Sequence, residues 1–223
     1  MQLILYYPMR LALILLLTST EVVAQTVGIY LPDKFSRTDR FIFYQHGGVV
    51  TILGNNAVNQ SVPEWGPYEY LNILDSLSKR GFHVISENRK PDIDDSVYVN
   101  RVVSQIDSLL RKNVKAENIL VLGASAGWNI TLHVSARLQN KSIRYVVMGG
   151  CWPDTYKEYQ HLTLYGHFLS IIESTDPHGT CGSIFTGRKT LATYKEIKLN
   201  TGRSHGFIYK GYREWIDPVV DWR

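Results

Sequence analysis

The five residues Gly123-Ala124-Ser125-Ala126-Gly127 set a serine hydroxyl between two glycines, directly after the apolar run Ile119 to Leu122. A serine in such a sharp strand-to-helix turn is exposed and strained, as a nucleophile must be, and the amides of the following helix point toward its oxygen. The same turn can be purely structural. Three further groups decide what chemistry is available. His46-Gly47-Gly48 follows the apolar run Phe41 to Gln45, and its glycines let backbone amides face a developing oxyanion without an intervening side chain. Ser204-His205-Gly206-Phe207 places an imidazole between small residues near the chain end, where it could serve as a general base. An acid to orient that base is sought in Phe168 to His178: Asp176, beyond the apolar run and before Pro177, is favoured over Glu173, which lies nearer the run's end. His83, His133, His161, His167 and His178 lie in expected strands, helices or looser loops and are assigned no catalytic part.

These residues need a scaffold that brings them to one place. Apolar, β-branched and aromatic runs recur at Val27 to Leu31, Phe41 to Gln45, Phe82 to Ser86, Ile119 to Leu122, Tyr145 to Met148, Phe168 to Ile172 and Ile197 to Leu199. They read as strands, and their lack of alternation fits strands covered on both faces. Helical spacing appears between them. Residues 67–80 carry Pro67 at an expected first helical position, with Tyr70, Leu71, Leu74 and Leu77 on one face and Gly81 at the end. Residues 96–111 place Val99, Val102, Val103, Ile106, Leu109 and Leu110 on a stripe, and residues 126–138 and 212–220 add two more helices. The alternation predicts an α/β fold: a mostly parallel central sheet of about seven strands with helices on both faces. The first two strands are the exception. The nine residues joining them, PDKFSRTDR, are too short for a crossover helix, so an antiparallel edge pair is expected.

Composition sets outer limits. With 44% hydrophobic and 20% charged residues among 223, the chain can bury a large core, which argues against disorder. A formal net charge of +4 with scattered basic residues gives no nucleic-acid footprint, and Arg111-Lys112-Asn113-Val114-Lys115 reads as a solvated helix end. At the start, Arg10 precedes the apolar run Leu11 to Leu17, with Val22 and Ala24 before a plausible cut at Gln25. Residues 1–24 therefore read as a secretory signal, with residues 25–223 as one domain. The competing reading is an uncleaved anchor, although Leu11 to Leu17 is short beside the ~20 residues a span needs. No cysteine stands near the cut to mark a lipoprotein. In an exported protein the cysteine pair Cys151 and Cys181 invites a disulfide, but sequence separation alone leaves two unpaired thiols open.

Taken in chain order, HGG, GASAG, an acid and SHGF resemble the α/β-hydrolase family, over the whole expected mature chain and closest to its esterase-like branch with an HGG loop. The resemblance implies a triad of Ser125, Asp176 and His205, with Ser125 attacking an acyl carbonyl, His205 carrying its proton and Asp176 orienting the imidazole. The oxyanion would be held by the backbone N–H groups of Ala126 and of the His46-Gly47-Gly48 loop, that of Gly48 first. Such donors are worth ~3 to 4 kcal/mol each in another serine hydrolase. Two residues depart from the pattern: Trp128 where many relatives carry a small residue, and Val49-Val50 where a third glycine often follows. The short span Gly149 to His167 leaves little room for a lid, so an open site unsuited to long lipids is expected, partly covered by Val49 to Gly66 with Trp65. The aromatic stretch from Cys151 to Tyr159 belongs beside the serine, either as packing or as a stacking surface for a sugar or aromatic acyl group. A Cys151 to Cys181 bridge would pin that stretch to the acid loop.

The expected activity is hydrolysis of small-molecule carboxylic esters through an acyl-enzyme, with no metal or organic cofactor. A peptidase or acyltransferase with the same triad, and a non-catalytic binding protein of the same fold, are the alternatives.

Overall fold

The computed structural model describes residues 26–59, 61–62, 64–152 and 156–222, so the expected leader and Pro153 to Thr155 lie outside the described residues. The described chain builds one seven-stranded sheet in the order β1-β5-β2-β6-β7-β8-β9, from β1 (Val27–Gly28), β2 (Arg40–Gln45), β5 (Phe82–Ile85), β6 (Ile119–Ala124), β7 (Arg144–Met148), β8 (Gly166–Glu173) and β9 (Leu191–Leu199). Every pair in it is parallel. β3 (Ser61–Val62) and β4 (Gly66–Pro67) form a separate small antiparallel ladder.

Alternate strand residues supply two cores. Phe41, Phe43, Ile119, Val121, Tyr145 and Val147 face α3 (Asp95–Arg111) and α4 (Gly127–Leu138). Ile42, Tyr44, Leu120, Leu122, Val146 and Met148 face α2 (Tyr70–Ser78) and α6 (Arg213–Asp221). Both faces are thus apolar, which is why these strands read as unbroken runs. Two short helices complete the described fold: α1 (Gly48–Leu53) directly after β2, and α5 (Gly182–Phe185) in the connection from β8 to β9, with Phe185 packed on Phe168. Among the described residues no helix is long and apolar enough to cross a membrane.

Three expectations need correction. β1 does not pair with β2: it lies parallel to β5, Val27 opposite Val84, with β5 between it and β2. Residues 29–39 return as irregular chain, with bends and a turn closed by Asp39 N–H on Ser36 O, and with Phe35 packed edge-on against Phe41, ring centroids 5.4 Å apart. Eleven residues can reach ~36 Å, so no helix is needed to bring the chain back along a short strand. α2 begins at Tyr70, after Pro67 has ended β4, and it buries Ile73 with Tyr70, Leu74 and Leu77 while Leu71 faces solvent. The last strand is three times its expected length, because β9 is an edge strand whose half-exposed residues, Lys195 and Lys198 among them, hide the apolar signal.

The connections from β2 leave toward β5 on one side while β6 lies on the other, so the chain reverses its direction of winding between β2 and β6. Open α/β sheets place their sites in the crevice outside such a reversal. Register pairs Gln45 with Gly123 and Ala124 with Met148, so the residues that follow β2, β6 and β7 come out side by side.

Candidate active site

Ser125 stands in that crevice with φ at +48°, a left-handed conformation that costs a residue with a Cβ. Its N–H donates to Met148 O at 2.8 Å and its carbonyl accepts from Trp128 N at 2.9 Å, so the turn is fixed from β7 and from α4. The glycines on either side are dictated by crowding. A Cβ on Gly127 would lie 2.0 Å from the carbonyl oxygen of Gln45, and one on Gly123 would lie 2.5 Å from Thr131 Oγ1.

His205 sits in a short 3-10 turn, Ser204–Ile208, and is buried. Its Nε2 is 3.0 Å from Ser125 Oγ and its Nδ1 is 2.8 Å from Asp176 Oδ2. An ionised carboxylate only accepts, so the proton belongs on Nδ1, leaving Nε2 bare to accept from the serine hydroxyl. Burial pushes the Asp176 carboxyl up, but hydrogen bonds from His178 and His205 outweigh it and hold the group well below the usual carboxylate range. Asp176 is therefore an anion at neutral pH, as the orienting partner of an imidazole should be.

Glu173 is elsewhere engaged. Its carboxylate accepts from Ser174 Oγ (3.0 Å), Thr201 N (3.1 Å), Thr201 Oγ1 (2.6 Å) and Gly202 N (3.3 Å). It thereby anchors the segment that leads from β9 to His205. A second tie runs between the same loops, Ser204 N to Thr175 Oγ1 at 3.0 Å and Ser204 Oγ to Thr175 O at 3.2 Å. Sequence alone saw Glu173 only as a rival acid.

The His46-Gly47-Gly48 segment lies against the elbow: a Cβ on Gly47 would be 3.3 Å from Ser125 Cβ, and one on Gly48 would be 4.0 Å from Ala126 Cβ. Gly47 N–H is spent on the Tyr68 hydroxyl at 3.3 Å. The N–H groups of Gly48, which opens α1, and of Ala126, which caps α4, donate to no group among the described residues. His46 is fully buried beneath them. Its Nε2 accepts the Arg89 N–H at 3.0 Å and its Nδ1 lies 2.9 Å from Gly47 O, while the Arg89 guanidinium donates to His46 O at 2.6 Å. Burial, with the nearby Arg89 charge, pushes the His46 imidazole down to about 3, so it stays neutral and braces the loop.

Around these groups the rings form a row. Trp65, from the segment expected to cover the site, packs on His205 with centroids 5.3 Å apart; His205 is 4.5 Å from His178, and His178 is 5.3 Å from Trp152. Trp128 does not open onto this row. It is buried under Gly150, whose Cβ would fall 2.7 Å from its Cγ, and against Tyr159 at 4.6 Å, so its role is to fill the core beneath the elbow. Cys151 and Cys181 are joined as a disulfide with Cα atoms 5.1 Å apart, fastening the chain after β7 to the loop after Asp176. Asp176, His178 and His205 are also the one trio of metal-ligand types among the described residues able to share an ion, with ligand atoms within 4.8 Å, although each is already hydrogen-bonded within the trio.

Sequence reasoning passed over His178. The signal was present in Asp176-Pro177-His178-Gly179, since an Asp that accepts the N–H two residues on closes a turn that brings both side chains together.

No family model and no curated protein matches the chain. Among solved structures, a lipase-esterase related protein from Clostridium acetobutylicum is similar with a TM-score of 0.54 at 11% identity, over 84% of this chain and 96% of that one. An arylesterase follows at 0.51 and 15% identity, covering 82% and 74%. Esterase B from Lactobacillus rhamnosis gives 0.51 at 13% identity, covering 86% and 74%. At such identities the likeness is one of architecture, and together with the seven-stranded parallel sheet it shows that the chain adopts the α/β-hydrolase fold.

Proposed function

We propose that the protein is a serine hydrolase that cleaves carboxylic esters of small molecules through a covalent acyl-enzyme. The observation that carries this reading is the unbroken line Ser125 Oγ to His205 Nε2 to Asp176, at 3.0 Å and 2.8 Å, ending in an anion. In the proposed reaction Ser125 Oγ bonds to the ester carbonyl carbon as its proton passes to His205 Nε2, and the carbonyl oxygen becomes an oxyanion facing the amides of Gly48 and Ala126. Collapse breaks the bond to the alcohol, which leaves with the proton from His205. Water then adds to the acyl-enzyme with His205 as base, releasing the carboxylate and restoring Ser125. Asp176 stabilises the imidazolium in both halves without taking its proton.

The names of the three similar structures above, a lipase-esterase related protein, an arylesterase and an esterase B, point the same way. The disulfide fits an oxidising compartment, and with the leader-like residues 1–24 we propose that the protein is exported. The test is a fluorophosphonate probe and short-chain aryl esters, applied to the protein and to Ser125→Ala. Labelling and turnover that vanish in the variant support the reading; an intact protein that neither labels nor turns over would overturn it.

A further inference from the structure

Asp176 has two carboxylate oxygens, and the proposed mechanism uses only Oδ2. The other, Oδ1, is buried and accepts twice from a single residue: the His178 backbone N–H at 3.1 Å and His178 Nδ1 at 2.5 Å. Asp176 thus lies between two imidazoles, each turning its Nδ1 to a different oxygen, with ring centroids 4.5 Å apart. A carboxylate held by one donor can swing about its last torsion. Held on both oxygens, its plane is fixed and so is the direction from which His205 is gripped.

The loop around His178 is built to keep it there. Asp176 N is tied to Glu173 O at 2.9 Å and Gly179 N to Asp176 O at 3.3 Å, which closes the turn. Glu196, from β9, takes Thr180 Oγ1 at 2.6 Å and Cys181 N at 2.9 Å. The disulfide then draws the chain after β7 over the loop, and Trp152 from that chain backs the His178 ring. We propose that His178 is a positioning residue for the Ser125, His205 and Asp176 machinery, acting through its Nδ1–H on Asp176 Oδ1; this rests on the catalytic reading of that trio.

Two variants separate the donor from the ring. His178→Phe keeps a ring against Trp152 but has no donor, whereas His178→Asn keeps an N–H near the Nδ1 position and loses the ring. Losing a hydrogen bond to a buried carboxylate predicts a fall in kcat on the order of 10- to 100-fold for His178→Phe. KM should stay within about 3-fold, because His178 acts on Asp176 and not on the bound ester. His178→Asn should return kcat to within about 3-fold of the unmodified protein. Proton NMR gives a readout that needs no turnover: two downfield imidazole N–H signals are expected, from His205 and His178, and His178→Phe should lose one and shift the other. The inference is overturned if His178→Phe turns over like the unmodified protein, if His178→Asn is as slow as His178→Phe, or if only one downfield signal exists at the start. A protein silent toward every ester and probe, yet showing both signals, would instead remove the functional reading on which the inference stands, and the inference with it.

Discussion

The disulfide is the place where stability and activity should fall together, and the size of the first effect can be worked out. Cys151 and Cys181 are 30 residues apart, and both are buried. Closing a loop of that length in the unfolded chain removes about 12 cal/mol/K, or roughly 3.6 kcal/mol at 25 °C. For a chain of this size 1 kcal/mol corresponds to about 2–4 °C in Tm, so the loss should lower Tm by about 7–14 °C. Replacing both cysteines by Ala avoids burying two hydroxyls without partners. Urea unfolding followed by tryptophan fluorescence, on the double variant and on the thiol-reduced protein, measures the difference. The crosslink also ties the loop of Asp176 and His178 to the chain after β7, so kcat should drop more than KM changes, at a temperature where both proteins remain folded. A stability loss under about 1 kcal/mol would refute the loop-entropy reasoning. An unchanged kcat would show that the acid loop is held in place without the bridge.

Asp176→Asn should lower kcat by about 10⁴-fold, as loss of the orienting acid does in another serine hydrolase, while Glu173→Gln should leave kcat within about tenfold and destabilise by about 2–3 kcal/mol, the cost of disturbing charge-assisted bonds to Thr201 and Gly202; comparing ester kinetics with urea midpoints separates the two. Gly149→Ala should slow turnover on the order of 100-fold, because a Cβ there would lie 2.9 Å from His205 Cε1 on backbone with φ at +55°; a variant that is folded and fully active would contradict the placement. His46 titrates at about 3 when folded and at 6.5 when unfolded, so the unfolded chain binds the extra proton between those values. Stability from this group is complete above about pH 6.5 and is lost as pH falls toward 3, about 2 kcal/mol of it between pH 7 and pH 5. His46→Gln should flatten that part of the urea-midpoint profile, and an equal slope in the variant would exclude His46 as its source.

What could be read from the sequence followed how strongly burial stamps a pattern. The central strands β2, β6, β7 and β8 are apolar on both faces and announce themselves; β9 is half-exposed, and only Ile197 to Leu199 stood out. Ser125, Asp176 and His205 could be placed because each follows an apolar run at the same sheet edge, and the structure brings them within hydrogen-bond reach. The partner of β1 was hidden because an irregular return past Phe35 has no periodicity to detect. Leu71 and Ile73 exchanged roles because they flank the stripe of Tyr70, Leu74 and Leu77 on opposite sides, and apolarity alone does not say which flank turns to the sheet. The neighbours of Asp176 were hidden for another reason: a histidine two residues away in sequence carries no apolar signature, and only the turn itself shows that the two side chains meet.

The crowding beneath the elbow also bears on how such a protein can diverge. Gly123 and Gly127 are wedged against Thr131 and against the backbone of β2, so nearly every exchange at either position strikes atoms that belong to the sheet and to α4. Variation that altered the substrate would enter more readily through the segments carrying Trp65 and Trp152, whose rings lie against His205 and His178 at the edge of the crevice. Selection can reshape the rim repeatedly while the floor stays fixed, and two descendants of one ancestor could come to prefer different substrates over an unchanged serine turn.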